Sequence, residues 1–139
     1  VRVLFDSSAL LKRYLAEPGS PLVLALAERV SELCVAAHCK AELSSALNRQ
    51  RHDGLLEDAD YRRTWAEVCA DFDVFTVVAF SGRVETAAVT AMERVRLRAM
   101  DALHVATAQA ASVELFVTAD QRQARAADAM GLKTQLIEA

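Results

Sequence analysis

The chain has 139 residues, 53% of them hydrophobic and 25% charged, with a formal net charge of −3. That length suits one soluble, globular domain spanning residues 1–139 with a proper core, and the charge does not advertise nucleic-acid binding by gross electrostatics. Cys34, Cys39 and Cys69 are odd in number and form no C-x-x-C pair, which argues against a disulfide framework. The longest apolar runs, such as VELFVTA, are far too short to span a bilayer, and no leader-like segment opens the sequence, so an intracellular, cytoplasmic protein is expected.

The chain opens with VRVLF, a β-branched and apolar run that reads as a strand and stops at Asp6-Ser7-Ser8. Helical spacing follows from Ala9 to Ala16 and is stopped by Pro18-Gly19; a second helix is expected from about Pro21 to Val30. LCVAAH reads as the next strand. The stretch KAELSSALNRQR then places Leu43, Ala46, Leu47 and Gln50 on one helical face, with Gly54 as its stop. Asp58 to Asp71 reads as an amphipathic helix around Trp65 and Val68, and VFTVVAF as a third strand. Ser81 suits the N-cap of a helix reaching Arg96. The helix RAMDALHVATAQA follows, then the strand VELFVTA, a helix from Gln121 to Met130 stopped by Gly131, and a last strand, KTQLI. Strands alternating with helices point to an α/β domain with a mainly parallel central sheet.

The helix RAMDALHVATAQA is apolar nearly all round, which predicts burial. It nevertheless carries Asp101, and a buried carboxylate is costly unless its charge is compensated. Three further acids stand in comparable places. Asp6 follows the first strand, Asp120 follows VELFVTA, and Glu42 lies on the first turns of the helix after LCVAAH. Ligands of open α/β sheets bind beyond the carboxyl ends of the strands, so these four acids can converge on one site. Each also has a plainer explanation: Asp6 and Asp120 can cap helices, Asp101 can sit in a first turn, and Glu42 can pair with an arginine. Four together favour a site. Convergent carboxylates repel and call for shared protons or bound cations. An all-oxygen donor set suits Mg²⁺ or Mn²⁺, ions that activate water and stabilise charge in phosphate hydrolysis.

The segments FDSSALLKRY, AELSSAL, RAMDALHVATA and VTADQR resemble, in order and spacing, the four signature segments of PIN domains, and most of all those of VapC-type toxins, the ribonuclease halves of toxin–antitoxin pairs. They lie within Val1 to Arg125, nearly the whole chain. The resemblance implies a single three-layer α/β/α PIN-like domain and a Mg²⁺- or Mn²⁺-dependent endoribonuclease acting on structured RNA such as tRNA or ribosomal RNA. Carried over residue by residue, it makes Asp6, Glu42, Asp101 and Asp120 the catalytic and metal-binding acids. Ser8 becomes the accompanying hydroxyl, and Thr118 part of a T-x-D setting. It further implies a cognate antitoxin occupying the active-site groove and a homodimer. Most basic residues are arginines, and Arg13, Arg98 and Arg122 adjoin the motif acids as candidates for RNA-backbone contacts. Leu55 to Arg96 carries no motif.

Other readings are weaker. Cys34, His38, Cys39 and Glu42 match no ordinary zinc spacing, and His104 reads as a packed, hydrogen-bonded residue rather than a general base. Trp65 and the phenylalanines read as core. A phosphatase with Asp6 as nucleophile would gain from a second acid two residues on, where Ser8 stands. A non-catalytic PIN-like module binding RNA or a protein would gain from a missing acid, and all four are present.

Overall fold

The computed structural model describes residues 1–138. Its elements run β1 (Arg2–Phe5), α1 (Ser7–Tyr14), α2 (Ser20–Arg29), β2 (Glu32–Ala36), α3 (Cys39–His52), α4 (Asp58–Val74), β3 (Thr76–Val78), α5 (Gly82–Arg94), α6 (Ala99–Ala110), β4 (Leu115–Thr118), α7 (Gln121–Ala129) and β5 (Thr134–Leu136). The strands form one parallel sheet in the order β3-β2-β1-β4-β5. Strand order reverses at β1, which pairs Leu4 with Cys34 of β2 on one side and with Phe116 of β4 on the other. A crevice outside the carboxyl ends of the strands is the expected consequence of such a switch point.

The two-residue period of β1 divides the core. Val3 and Phe5 point to the face covered by α1 to α4, where they pack with Leu10, Val23, Leu43, Leu47 and Val68. Leu4 points to the other face, against Val105, Ala108, Ala126 and Ala127 of α6 and α7. Helix α5 lies outside α6 through Val84, Ala88, Ala102 and Ala106. Both faces are therefore covered, as a parallel sheet requires, and the architecture is α/β/α. As its composition predicts, α6 is sunk into this layer: Ala102 and His104 to Ala108 are all buried. Among the described residues no helix is long and apolar enough to cross a membrane.

Every expected element is present, with shifted ends. The first helix begins at Ser7, because Asp6 caps it. Glycines stop α3 and α7 where the sequence predicts: Gly54 has φ +76° and Gly131 φ +81°, backbone that a side chain disfavours. The largest shift is at VFTVVAF, where only Thr76–Val78 is strand and Val74 ends α4. The pairing partner sets that length. β2 ends at Ala36, opposite Val78, and leaves the later residues nothing to pair with.

Candidate active site

At the carboxyl end of β1, Asp6 is 0% exposed. Its Oδ1 caps α1 by accepting from the Ala9 amide at 2.9 Å, and Oδ2 accepts from Thr118 Oγ1 at 2.6 Å. The Ser8 hydroxyl lies 2.8 Å from both carboxylate oxygens and accepts from the Ala119 amide at 3.0 Å. Thr118 Oγ1 in turn accepts from the Asp120 amide at 3.0 Å. Two hydroxyls and two strand ends are thus tied around one carboxylate. Burial pushes the Asp6 carboxyl above the usual range, outweighing the nearby His104 and the bonds from Thr118, Ala9 and Ser8.

Glu42 rises from the first turn of α3 and is held differently. Its Oε1 accepts from His104 Nε2 at 2.5 Å and from Ser7 Oγ at 2.6 Å. Burial alone would raise its carboxyl; the bonds from His104 and Ser7 outweigh that and hold it below the usual range. His104 is 1% exposed, a packed residue whose polar edge serves Glu42. The His38 ring lies against it with centroids 4.2 Å apart, and His38 Nε2 donates to the Met100 carbonyl at 2.9 Å. His38, Glu42 and His104 bring ligand atoms within 4.8 Å of one another, the one such group among the described residues. Glu42 Oε1 is held by His104 Nε2 and Ser7, and His38 Nε2 by the Met100 carbonyl, so the trio reads as a network that fixes Glu42, while His104 Nδ1 is buried with no hydrogen-bond partner among the described residues. The cysteines take no part in it as ligands: Cys34 lies on β2, and the core residue Cys39 accepts its one side-chain hydrogen bond among the described residues from Ser7 Oγ, at 3.5 Å.

Ser7, Ser8, Leu11, Glu42, Leu43, Ala46, Asp101, Asp120 and Gln123 line a cleft of about 210 Å³. Larger recesses lie elsewhere, but this one holds the chemistry. Asp101 sits in the first turn of α6, and Gln123 Nε2 donates to its Oδ1 at 3.2 Å. Burial first, then the facing charges of Asp120 and Glu42, push its carboxyl up. Asp120 caps α7 by accepting from the Arg122 amide at 2.8 Å. The plainer capping roles are therefore real for Asp6 and Asp120, yet Glu42, Asp101 and Asp120 still share the cleft. Asp6 does not line it, but lies behind Ser8.

The basic residues divide. Arg98 and Arg122 are exposed beside Asp101 and Asp120. Arg13 does not reach the cleft. Its Nε pairs with Asp71 Oδ2 at 3.0 Å, and Tyr14 donates to the same oxygen at 2.7 Å, which pins α1 to α4. Sequence reasoning singled out Ser8 and passed over Ser7, whose hydroxyl bridges α1 to Glu42, and Gln123.

A buried acid at a strand end, hydroxyls ordering it and three more acids converging on a parallel switch point define a class of fold and site, and the sequence carries the same signature over its length. Residues 3–129 match the PIN domain family, and the chain belongs to it. No curated protein matches it in sequence. Its fold is similar to several solved structures at low identity. FitAcB from Neisseria gonorrhoeae aligns with a TM-score of 0.70 and 18% identity, covering 95% of both chains. VapBC-1 from nontypeable Haemophilus influenzae gives 0.71 and 9% identity over 98% of both. Mycobacterium tuberculosis VapC20, described as a Sarcin-Ricin loop cleaving toxin, gives 0.69 and 16% identity over 94% of this chain and 95% of that one.

Proposed function

We propose that this chain is a divalent-metal-dependent endoribonuclease, the toxin of a toxin–antitoxin pair, working as one domain in the cytoplasm. PIN domains are generally nucleases, and one structural neighbour carries RNA cleavage in its description. The observation that carries the reading is negative charge gathered at one sheet end. Asp101 faces Asp120 and Glu42 across the cleft, and Asp6 is buried directly behind it. No lysine or arginine side chain is hydrogen-bonded to any of the four carboxylates among the described residues; Asp120 accepts only from the Arg122 backbone amide. Such an all-oxygen set fits a hard divalent ion, Mg²⁺ or Mn²⁺. Asp6, Glu42, Asp101 and Asp120 would hold it. When bound, it supplies an activated water and charge stabilisation for in-line attack on a phosphodiester.

The protein's part is positioning. Ser8 and Thr118 leave the Asp6 carboxylate one orientation, and Ser7 with His104 keeps Glu42 ionised. Arg98 and Arg122 stand where the phosphates of a bound strand would pass. Structured RNA is the proposed substrate. An antitoxin segment lying over the cleft is the proposed partner, consistent with one neighbour described as a toxin–antitoxin complex and another as a member of a family of toxin–antitoxin systems, and the toxin is proposed to be a homodimer. A phosphatase using Asp6 as nucleophile is disfavoured, because Ser8 stands two residues on, where a second acid would support it.

The test is incubation of the purified chain with total cellular RNA and Mg²⁺, with EDTA and Asp6→Asn controls and sequencing of the ends. Discrete, metal-dependent cuts absent from the variant are expected. Folded protein that cuts nothing would overturn the nuclease and leave a binding module.

A further inference from the structure

Helix α7 packs on the sheet with alanines: Ala124, Ala126 and Ala127 are all buried. Gln123, one residue earlier, is only 3% exposed and is the one polar side chain sunk in that face. Its amide is half used. Nε2 donates to Asp101 Oδ1 at 3.2 Å, whereas Oε1 has no hydrogen-bond partner among the described residues. The amide's orientation is fixed by chemistry, since a carboxylate oxygen can only accept. A buried acceptor without a donor opposes folding, and an apolar side chain of similar length would pack α7 without that cost. What the glutamine contributes must lie in its other atom.

That atom serves a carboxylate with no other hold. Among the described residues Asp101 receives no second hydrogen bond, while Asp6 and Glu42 each receive several. Asp120 and Glu42 both face Asp101 with like charge, which would turn an untethered carboxylate away from the cleft. We propose that Gln123 is a positioning residue: its Nε2 holds the Asp101 carboxylate toward the cleft against that repulsion, so that a divalent cation meets its ligand already placed. This rests on the reading of the four acids as a cation site. Gln123 touches neither ion nor substrate; it acts through Asp101.

The predicted signature is opposite effects on stability and on binding. Gln123→Met keeps length and removes both polar atoms. In EDTA its melting temperature should equal or exceed that of the parent chain, because the orphaned Oε1 is gone. Its Mn²⁺ dissociation constant, measured calorimetrically on the metal-free full chain, should rise about tenfold, as when an outer-shell partner of a metal ligand is lost. A folded variant binding Mn²⁺ within twofold of the parent would overturn the proposal and make Gln123 a packing residue. Gln123→Leu, read in the same way, serves if the methionine variant does not fold. A parent chain that binds no Mn²⁺ would instead defeat the cation reading itself, so the two failures are distinguishable.

Discussion

Two carboxylates at the same end of the sheet, one on each side of Ser7 and Ser8, are treated in opposite ways. Asp6 is wholly buried and bonded to neutral hydroxyls and an amide, and its carboxyl is pushed up. Glu42, on the cleft wall, is bonded to His104 and Ser7, and its carboxyl is held down. Hydroxyls orient a negative charge but do not neutralise it; an imidazole can do both. The Asp6 corner is thus a buried carboxylate held by hydroxyls and an amide, and the Glu42 wall a carboxylate held by an imidazole and a hydroxyl. A cation that joins the two regions relieves the first without dismantling the second.

The strongest way to break this comparison is at Asp101, which shares the cleft with Glu42. Asp101→Asn should lower metal-dependent RNA cleavage on the order of a thousandfold, because it removes a charge that the catalytic ion needs. Single-turnover cleavage of a defined RNA reads it, and a folded variant retaining activity would remove Asp101 from the mechanism. Next in size is the wall. His104→Ala deletes a side chain that is 1% exposed and strips Glu42 of its closest partner. It should cost about 3 kcal/mol in urea unfolding.

Smaller effects sharpen the contrast through pH. A folded carboxyl pKa raised above its unfolded value costs stability once the pH exceeds both. Asp6→Asn, measured in EDTA, should therefore raise the melting temperature at pH 7, with the gain vanishing as the pH falls below the ordinary value of 3.8. Glu42 has the opposite sign. Its folded pKa lies below the unfolded value, so it stabilises above pH 4.5, and that stabilisation is lost as the pH drops through the folded pKa. Glu42→Gln should lower the melting temperature at pH 7 and lose its effect in acid. Equal shifts in the two variants would erase the distinction. The smallest test uses Cys39, buried between the two regions, with its thiol pushed up to about 12 by burial and by the charges of Asp6 and Glu42. Alkylation of the folded chain at pH 8 should modify the half-exposed Cys69 and spare Cys39.

Much of this was legible in the sequence, for physical reasons. The two-residue and 3.6-residue periods located every strand and helix, and the acids at strand exits located the cleft. Pattern alone could not place the end of α4, because the partner strand sets the length of β3. Nor could it separate Asp6, hidden behind Ser8, from the acids that face the cleft, since depth at a strand end depends on hydroxyls arriving from other elements. Arg13 adjoins a motif in sequence, but its side chain leaves α1 toward Asp71. Gln123 did leave a trace: it occupies a position whose helical companions Ala126 and Ala127 are apolar and buried, where periodicity expects another apolar residue.

The claim that the four acids make one cation site is tested most directly by adding substoichiometric Mn²⁺ to the isotope-labelled, metal-free chain and following backbone amide signals. The account predicts that amides around Asp6, Glu42, Asp101 and Asp120 broaden first and together, and that Asp101→Asn abolishes the effect. Broadening scattered over the surface, or confined to one acid and unchanged in the variant, would contradict it.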